Sequence, residues 1–234
     1  VNGKKKMRKF LKRSLDEYLT SRTFERKREN ALMYNDGQSY IRYQKGSLIF
    51  YALSDYLGEK TLNKALSKYI EKVAFQEPPY TTSIDMVNHI KEVTPDSLNY
   101  LIKDMFETIT LYQNRVVETK SKKLDNGKYQ VDIEFKVSKY RNNEKGRIFY
   151  GEEERDSITY QTDDMKKPEY SVFLEDYIDV GIFGEDNDEK EIELYLKKLK
   201  ISSIHNKISI IVDKEPIEVG IDPYNKLIDT NSED

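Results

Sequence analysis

The chain contains no cysteine and no tryptophan, and only two histidines in 234 residues. Without cysteine, disulfides and thiolate-held metal sites are excluded. The compartment stays open, because disulfide-free proteins occur on both sides of a membrane. No apolar run approaches the roughly 18 residues that a bilayer-spanning helix needs. The basic start, Val1-Asn2-Gly3-Lys4-Lys5-Lys6, is not followed by the apolar stretch of a signal peptide. It also lacks an initiator Met, so the chain is expected to begin inside a longer protein. His89 and His205 fall short of the three protein ligands that a catalytic zinc takes. Both read as ordinary surface or packing histidines. His-Glu-x-x-His, Gly-x-Ser-x-Gly and glycine-rich phosphate loops are all missing.

What is present is a globular composition. The chain is 37% hydrophobic and 35% charged, with 18 Tyr and 9 Phe, too many aromatics for a disordered polymer. The net charge of −3 conceals an asymmetry. Residues 1–50 carry 13 Lys/Arg against 5 Asp/Glu, whereas residues 115–234 carry 20 against 28. Two units with different surfaces are expected. The basic run Lys4, Lys5, Lys6, Arg8, Lys9, Lys12 and Arg13 has no flanking aromatic platform. It reads as a solvated helix face, and no nucleic-acid partner is expected.

The first half has helical periodicity. Met7, Phe10, Leu11, Leu15, Tyr18 and Leu19 recur at three- and four-residue steps. A second helix is expected from about Tyr40 to Leu57, closed by Gly58, and a third from there to Phe75. Thr82 or Ser83 should cap a short helix bearing Met86, Val87 and Ile90. Thr94 should cap the last one, with Pro95 in its first turn and Leu98, Leu101, Ile102, Met105 and Phe106 on its apolar face. The period then changes. Residues 128–137 alternate strictly, as a half-buried strand does, and Asp125-Asn126-Gly127 predicts a hairpin back to Val116–Leu124. Further strands are expected at Ile158–Tyr160, Tyr170–Val180, Ile192–Leu199, Lys207–Val212 and Ile217–Val219. The expected fold is α+β in two domains. Residues 1–114 form an α-helical array, and residues 115–234 an antiparallel β-sandwich of the immunoglobulin/fibronectin kind.

One segment carries candidate chemistry. In Ser39-Tyr-Ile-Arg-Tyr-Gln-Lys-Gly-Ser47, Tyr43 stands near the start of the second helix. When a nucleophile attacks a carbonyl, charge builds on the carbonyl oxygen, and a pre-positioned phenol can donate to it. Among 18 tyrosines, the ordinary alternative is a core tyrosine with its hydroxyl at the edge.

The stretch Ser39–Glu59 resembles the aminopeptidase N / leukotriene A4 hydrolase family of zinc gluzincins. Pro79–Asp85 and Thr94–Leu111 are similar to that family's later helices. The closest resemblance is to a bacterial branch that accompanies, or is fused to, an ABC-type permease. Glu218–Asp229 resembles the closing segment of that branch's β-domain. The resemblance implies that Tyr43 stabilises the tetrahedral intermediate, with Gln44, Lys45 and Gly46 completing the motif. Glutamine stands where many relatives have glutamate. Tyr40, Lys45 and Gly46 are further candidates for the substrate cleft.

The resemblance also implies a zinc cofactor in the full-length parent, none in this chain, and a partner in the upstream catalytic half of the same polypeptide. It implies peptide substrates cut at their N-terminal residue, a permease partner, and a membrane-associated or extracytoplasmic bacterial parent. The chain alone is expected to be inactive. The alternative is a non-catalytic interaction scaffold derived from a peptidase fold.

Overall fold

The computed structural model describes residues 4–150, 172–188 and 190–232. Helices and two antiparallel sheets give an α+β chain. It divides into two compact units that interleave in sequence. The helical unit takes Ser14–Thr110 and Arg141–Ile148. The strand unit takes Val1–Arg13, Leu111–Tyr140 and Phe149–Asp234. The first helix, α1 (Lys4–Thr23), therefore lends residues to both.

In the helical unit, Leu15 and Tyr18 of α1 are fully buried. A 3-10 turn at Leu32–Tyr34 leads to a π-helical turn, Ile41–Lys45, which runs into α2 (Gly46–Leu57). Leu48, Ile49, Ala52 and Leu53 form the buried stripe of α2, spaced as one helix face requires. Gly58 ends it at φ +83°, a conformation that glycine adopts without steric cost. Helix α3 (Glu59–Val73) buries Leu62 and Ala65.

Helix α4 (Ser83–Val93) opens with Thr82, whose backbone N–H donates to the Asp85 carboxylate at 2.8 Å. That bond leads the hydrogen bonds that hold Asp85 below the usual carboxylate range. Thr94 departs from expectation. Its hydroxyl donates back to the Ile90 carbonyl at 2.8 Å, so it closes α4 rather than capping the next helix. Pro95 accordingly precedes a 3-10 turn, Asp96–Leu98. The last helix is short, α5 (Asn99–Ile102), and continues as a second π turn, Lys103–Glu107.

In the strand unit, β1 (Ile109–Lys123) begins well before the expected Val116, and Ile109–Tyr112 are buried at every position. A strand buried on both faces shows no alternation, which hid this start. The expected hairpin is present: the Gly127 N–H donates to Leu124 O at 2.9 Å, with Gly127 at φ +82°. Strand β2 (Tyr129–Asn142) pairs with β1, with β3 (Ile148–Tyr150) and with β6 (His205–Val212). The β2–β6 ladder is antiparallel, from Tyr129↔Val212 to Lys136↔His205.

The second sheet has the order β5-β4-β7. Strand β4 occupies Asp176–Glu185, displaced from the expected 170–180, and contains Gly181 and Gly184. Both glycines are steric requirements. A Cβ on Gly184 would meet Glu215 O at 2.7 Å, and one on Gly181 would meet the Phe183 ring at 2.8 Å. Its partners are β5 (Glu191–Ile201) and β7 (Glu218–Ile221). The expected strand at 158–160 lies outside the described residues.

Carboxylates and backbone bonds fix the closing segment of this unit. Asp222 Oδ2 accepts the Leu227 N–H at 2.7 Å, and Asp229 Oδ2 accepts the Asn114 N–H at 2.9 Å. The Tyr112 N–H donates to Ile228 O at 2.8 Å, and Tyr112 O accepts the Thr230 N–H at 2.9 Å. Buried Lys139 pairs with Asp176, which also accepts the Tyr112 hydroxyl. Buried Lys226 and partly exposed Lys198 share Asp179.

Candidate active site

The π turn at Ile41–Lys45 is where the tyrosine motif sits. The Gly46 N–H donates to Ile41 O, five residues back, which widens the turn by one residue. Such single-turn π segments recur at functional sites. Two residues apart on this turn, Tyr43 and Lys45 point to different sides. Tyr43 is 64% exposed, whereas Lys45 is wholly buried.

Tyr43 stands on the wall of a cleft of about 490 Å3. Gly46, Ser47 and Phe50 of the same helix continue that wall. The opposite side comes from Leu32 and Met33 of the 3-10 turn and from Met86 of α4. Phe106 forms part of the floor, edge-on to Phe50 with ring centroids 6.1 Å apart. The Ser83 hydroxyl donates to Met33 O at 2.6 Å, tying α4 to the 3-10 turn. At the rim, the Arg42 guanidinium carbon lies 5.8 Å from the Tyr43 ring centroid. The cleft is thus mainly apolar, with Asn35, Ser47 and Ser83 as its neutral polar residues and one phenol and one guanidinium at its mouth.

Of the four expected site residues, Tyr43 and Gly46 line this cleft. Gly46 is not sterically required there, since a Cβ would approach nothing closer than Ile41 O at 3.6 Å. Tyr40 and Lys45 instead contact Tyr18. Tyr40 stacks on the Tyr18 ring at 5.9 Å, and its hydroxyl lies 3.3 Å from Glu25 Oε2. Burial, together with Glu29 and Glu25, raises the Tyr40 phenol above its ordinary value. The Lys45 ammonium lies 5.5 Å from the Tyr18 ring centroid and has no hydrogen-bond partner among the described residues. Burial lowers its amine to about 8, opposed by the nearby Glu29 carboxylate.

Glu29 and Gln38 hold this region together, and the linear sequence gave no sign of either. Glu29 is buried, accepts a hydrogen bond from the Tyr18 hydroxyl, and pairs with Arg22 at 2.7 Å. Gln38 Nε2 donates to Glu25 Oε2 at 2.7 Å and to Arg28 O at 2.9 Å, while its backbone N–H donates to Asn35 Oδ1. These bonds anchor the irregular segment that feeds the π turn. The glutamine after the tyrosine, Gln44, reaches Glu17 Oε2 at 3.4 Å.

Among the described residues, no three His, Asp or Glu side chains converge to hold a metal ion. His89 Nδ1 lies 2.8 Å from the Asp85 carbonyl and its ring packs against Tyr69. His205 begins β6 in the other unit. These residues do not fit a zinc ion, which needs about three ligands around one point. Just after β4, Asp186 Oδ1 accepts the backbone N–H groups of Asp188 and Lys190. The basic run is partly engaged too, since Arg8 pairs with Glu191 and Glu218 and donates to Pro223 O.

No protein-family model matches the chain, and no curated protein matches it. No helix is long and apolar enough to cross a membrane among the described residues.

Proposed function

We propose that this chain is the C-terminal part of a zinc-dependent aminopeptidase of the aminopeptidase N / leukotriene A4 hydrolase kind, and that Tyr43 is its oxyanion donor. One observation carries the reading. The exposed Tyr43 sits at a π turn on the wall of an apolar cleft, with Arg42 beside it at the rim. A phenol at the border of water and an apolar cavity can donate to a carbonyl oxygen whose own hydration is reduced, where the bond is strongest.

The reaction is removal of the N-terminal residue from a peptide. As the nucleophile adds, the carbonyl oxygen gains charge and the Tyr43 O–H donates to it. In this reading the zinc belongs to the upstream catalytic half of the polypeptide, because the described residues of this chain do not supply its ligands. The helical residues then complete the catalytic domain. The two sheets form a β-sandwich domain, and the partners are the upstream half and an ABC-type permease.

Because the phenol acts on the transition state, its loss lowers turnover more than substrate affinity. Tyr43→Phe in the full-length protein is expected to reduce kcat by about 10²–10³-fold, as loss of one oxyanion donor does, with zinc content and KM nearly unchanged. Wild-type turnover in that variant would overturn the role. A full-length protein without peptidase activity would instead favour an interaction scaffold.

A further inference from the structure

Among the described residues, the Tyr43 cleft has an exposed cation at its mouth and no acid in its lining. Arg42 makes no ion pair with a described carboxylate; the neighbour it has is the Tyr43 ring at 5.8 Å. No Asp or Glu is among the cleft's described lining residues. Leu32, Met33, Phe50, Met86 and Phe106 supply most of the lining, beside the neutral polar Asn35, Ser47 and Ser83. An unpaired guanidinium is a fork of donors matched to a carboxylate. An apolar chamber of about 490 Å3 falls in the size range of small-ligand sites and holds one large side chain with its adjoining backbone.

We infer that the cleft recognises short peptides with a free carboxylate, seating an apolar side chain on its floor and the carboxylate on Arg42. This rests on the peptide-substrate reading above and adds the substrate class. The reach is consistent with it. An extended chain advances roughly 3.3–3.6 Å per residue, so a carboxylate held by Arg42 lies about one to two residues from a carbonyl at Tyr43. Dipeptides and tripeptides fit that span. A long peptide offers Arg42 no terminal carboxylate there and loses the contact, unless an acidic side chain falls at the same place.

Binding needs no turnover, so it is measured on the full-length protein with probes that have no N-terminal residue to remove. The probe is N-acetylphenylalanine, titrated by NMR, with N-acetylphenylalanine amide and N-acetylalanine as comparisons. Saturable binding of N-acetylphenylalanine is expected at about millimolar concentration, given the size of the ligand. The amide should bind at least about tenfold more weakly, having lost the charge-assisted pair. N-acetylalanine should also weaken by about tenfold or more, having lost the buried ring.

Arg42→Gln, on the surface, should erase the preference for acid over amide. Met86→Ala should shrink the preference for phenyl over methyl. Tyr43→Phe should leave both preferences in place. Absence of saturable binding, equal affinity for acid and amide, or preferences untouched by Arg42→Gln and Met86→Ala would each overturn the inference. These outcomes are separable from the oxyanion role, which is read from turnover and not from binding.

Discussion

The two units treat buried lysines in opposite ways. In the strand unit, Lys139 faces Asp176 and Lys226 faces Asp179, with nitrogen–oxygen distances of 2.9 and 2.6 Å. In the helical unit, Lys45 is equally buried, yet its ammonium has no hydrogen-bond partner among the described residues. The nearest carboxylate, Glu29, is already engaged by Tyr18 and Arg22. A buried paired charge gives back much of its desolvation cost through its partner, and an unpaired one does not. The strand unit therefore uses its buried charges as fasteners, especially for the closing segment 222–229. The helical unit tolerates a charge that opposes folding, two residues from the candidate oxyanion donor. Destabilising features of that kind concentrate at functional segments, where other contacts over-determine the structure.

The largest way to break this contrast is to remove a fastener. Asp179→Ala strands Lys226 in the interior and releases Lys198, and is expected to cost about 3–5 kcal/mol. Urea denaturation of the strand unit would measure it, and a loss below about 1 kcal/mol would contradict the role of Asp179.

Next is the opposite substitution. Lys45→Met removes a charge without breaking a hydrogen bond, and is expected to stabilise the helical unit by about 1–3 kcal/mol at neutral pH. The pH dependence carries the same information. The folded amine, at about 8, lies below the ordinary lysine value of 10.5. Below pH 8 both states are protonated and the penalty is fully present. Between about 8 and 10.5 the unfolded state holds more protons, so wild-type stability rises with pH, by about 3 kcal/mol in total. Lys45→Met should abolish this rise. A rise that survives the substitution would mean another group is responsible.

The smallest effect concerns Gly46. An added Cβ meets Ile41 O at an ordinary 3.6 Å and the backbone there is helical, so Gly46→Ala should stabilise α2 by about 0.5–1 kcal/mol. Destabilisation would show that the π turn needs glycine for a reason other than space.

The elements that were legible in sequence are those with a local cause. Leu15 and Tyr18, the stripe Leu48 to Leu53, the alternation across 128–137 and the Asp-Asn-Gly turn each follow from spacing within one element. The early start of β1 was not legible, because burial on both faces removes alternation. The true extent of β4 runs through Gly181 and Gly184, which carry no strand signal in sequence and are demanded by Phe183 and by the backbone at Glu215. Of the four candidate site residues named from the motif, Tyr43 and Gly46 line the cleft. Arg42 was passed over, since one arginine among 39 basic residues carries no local signal of being unpaired.

By itself the sequence determined the α+β class, most helix and strand positions, and the absence of any thiolate site. All of these depend on residue type and short-range period. Only the tertiary structure decided that Tyr43 opens onto a cleft while Lys45, two residues on, is sealed from water. That outcome depends on packing from distant positions: Tyr18 and Glu29 lie on the Lys45 side, and Phe106 with Met86 lines the cleft on the Tyr43 side. Packing between such distant residues leaves no periodic trace in the sequence, because each contributes a single side chain from a different element.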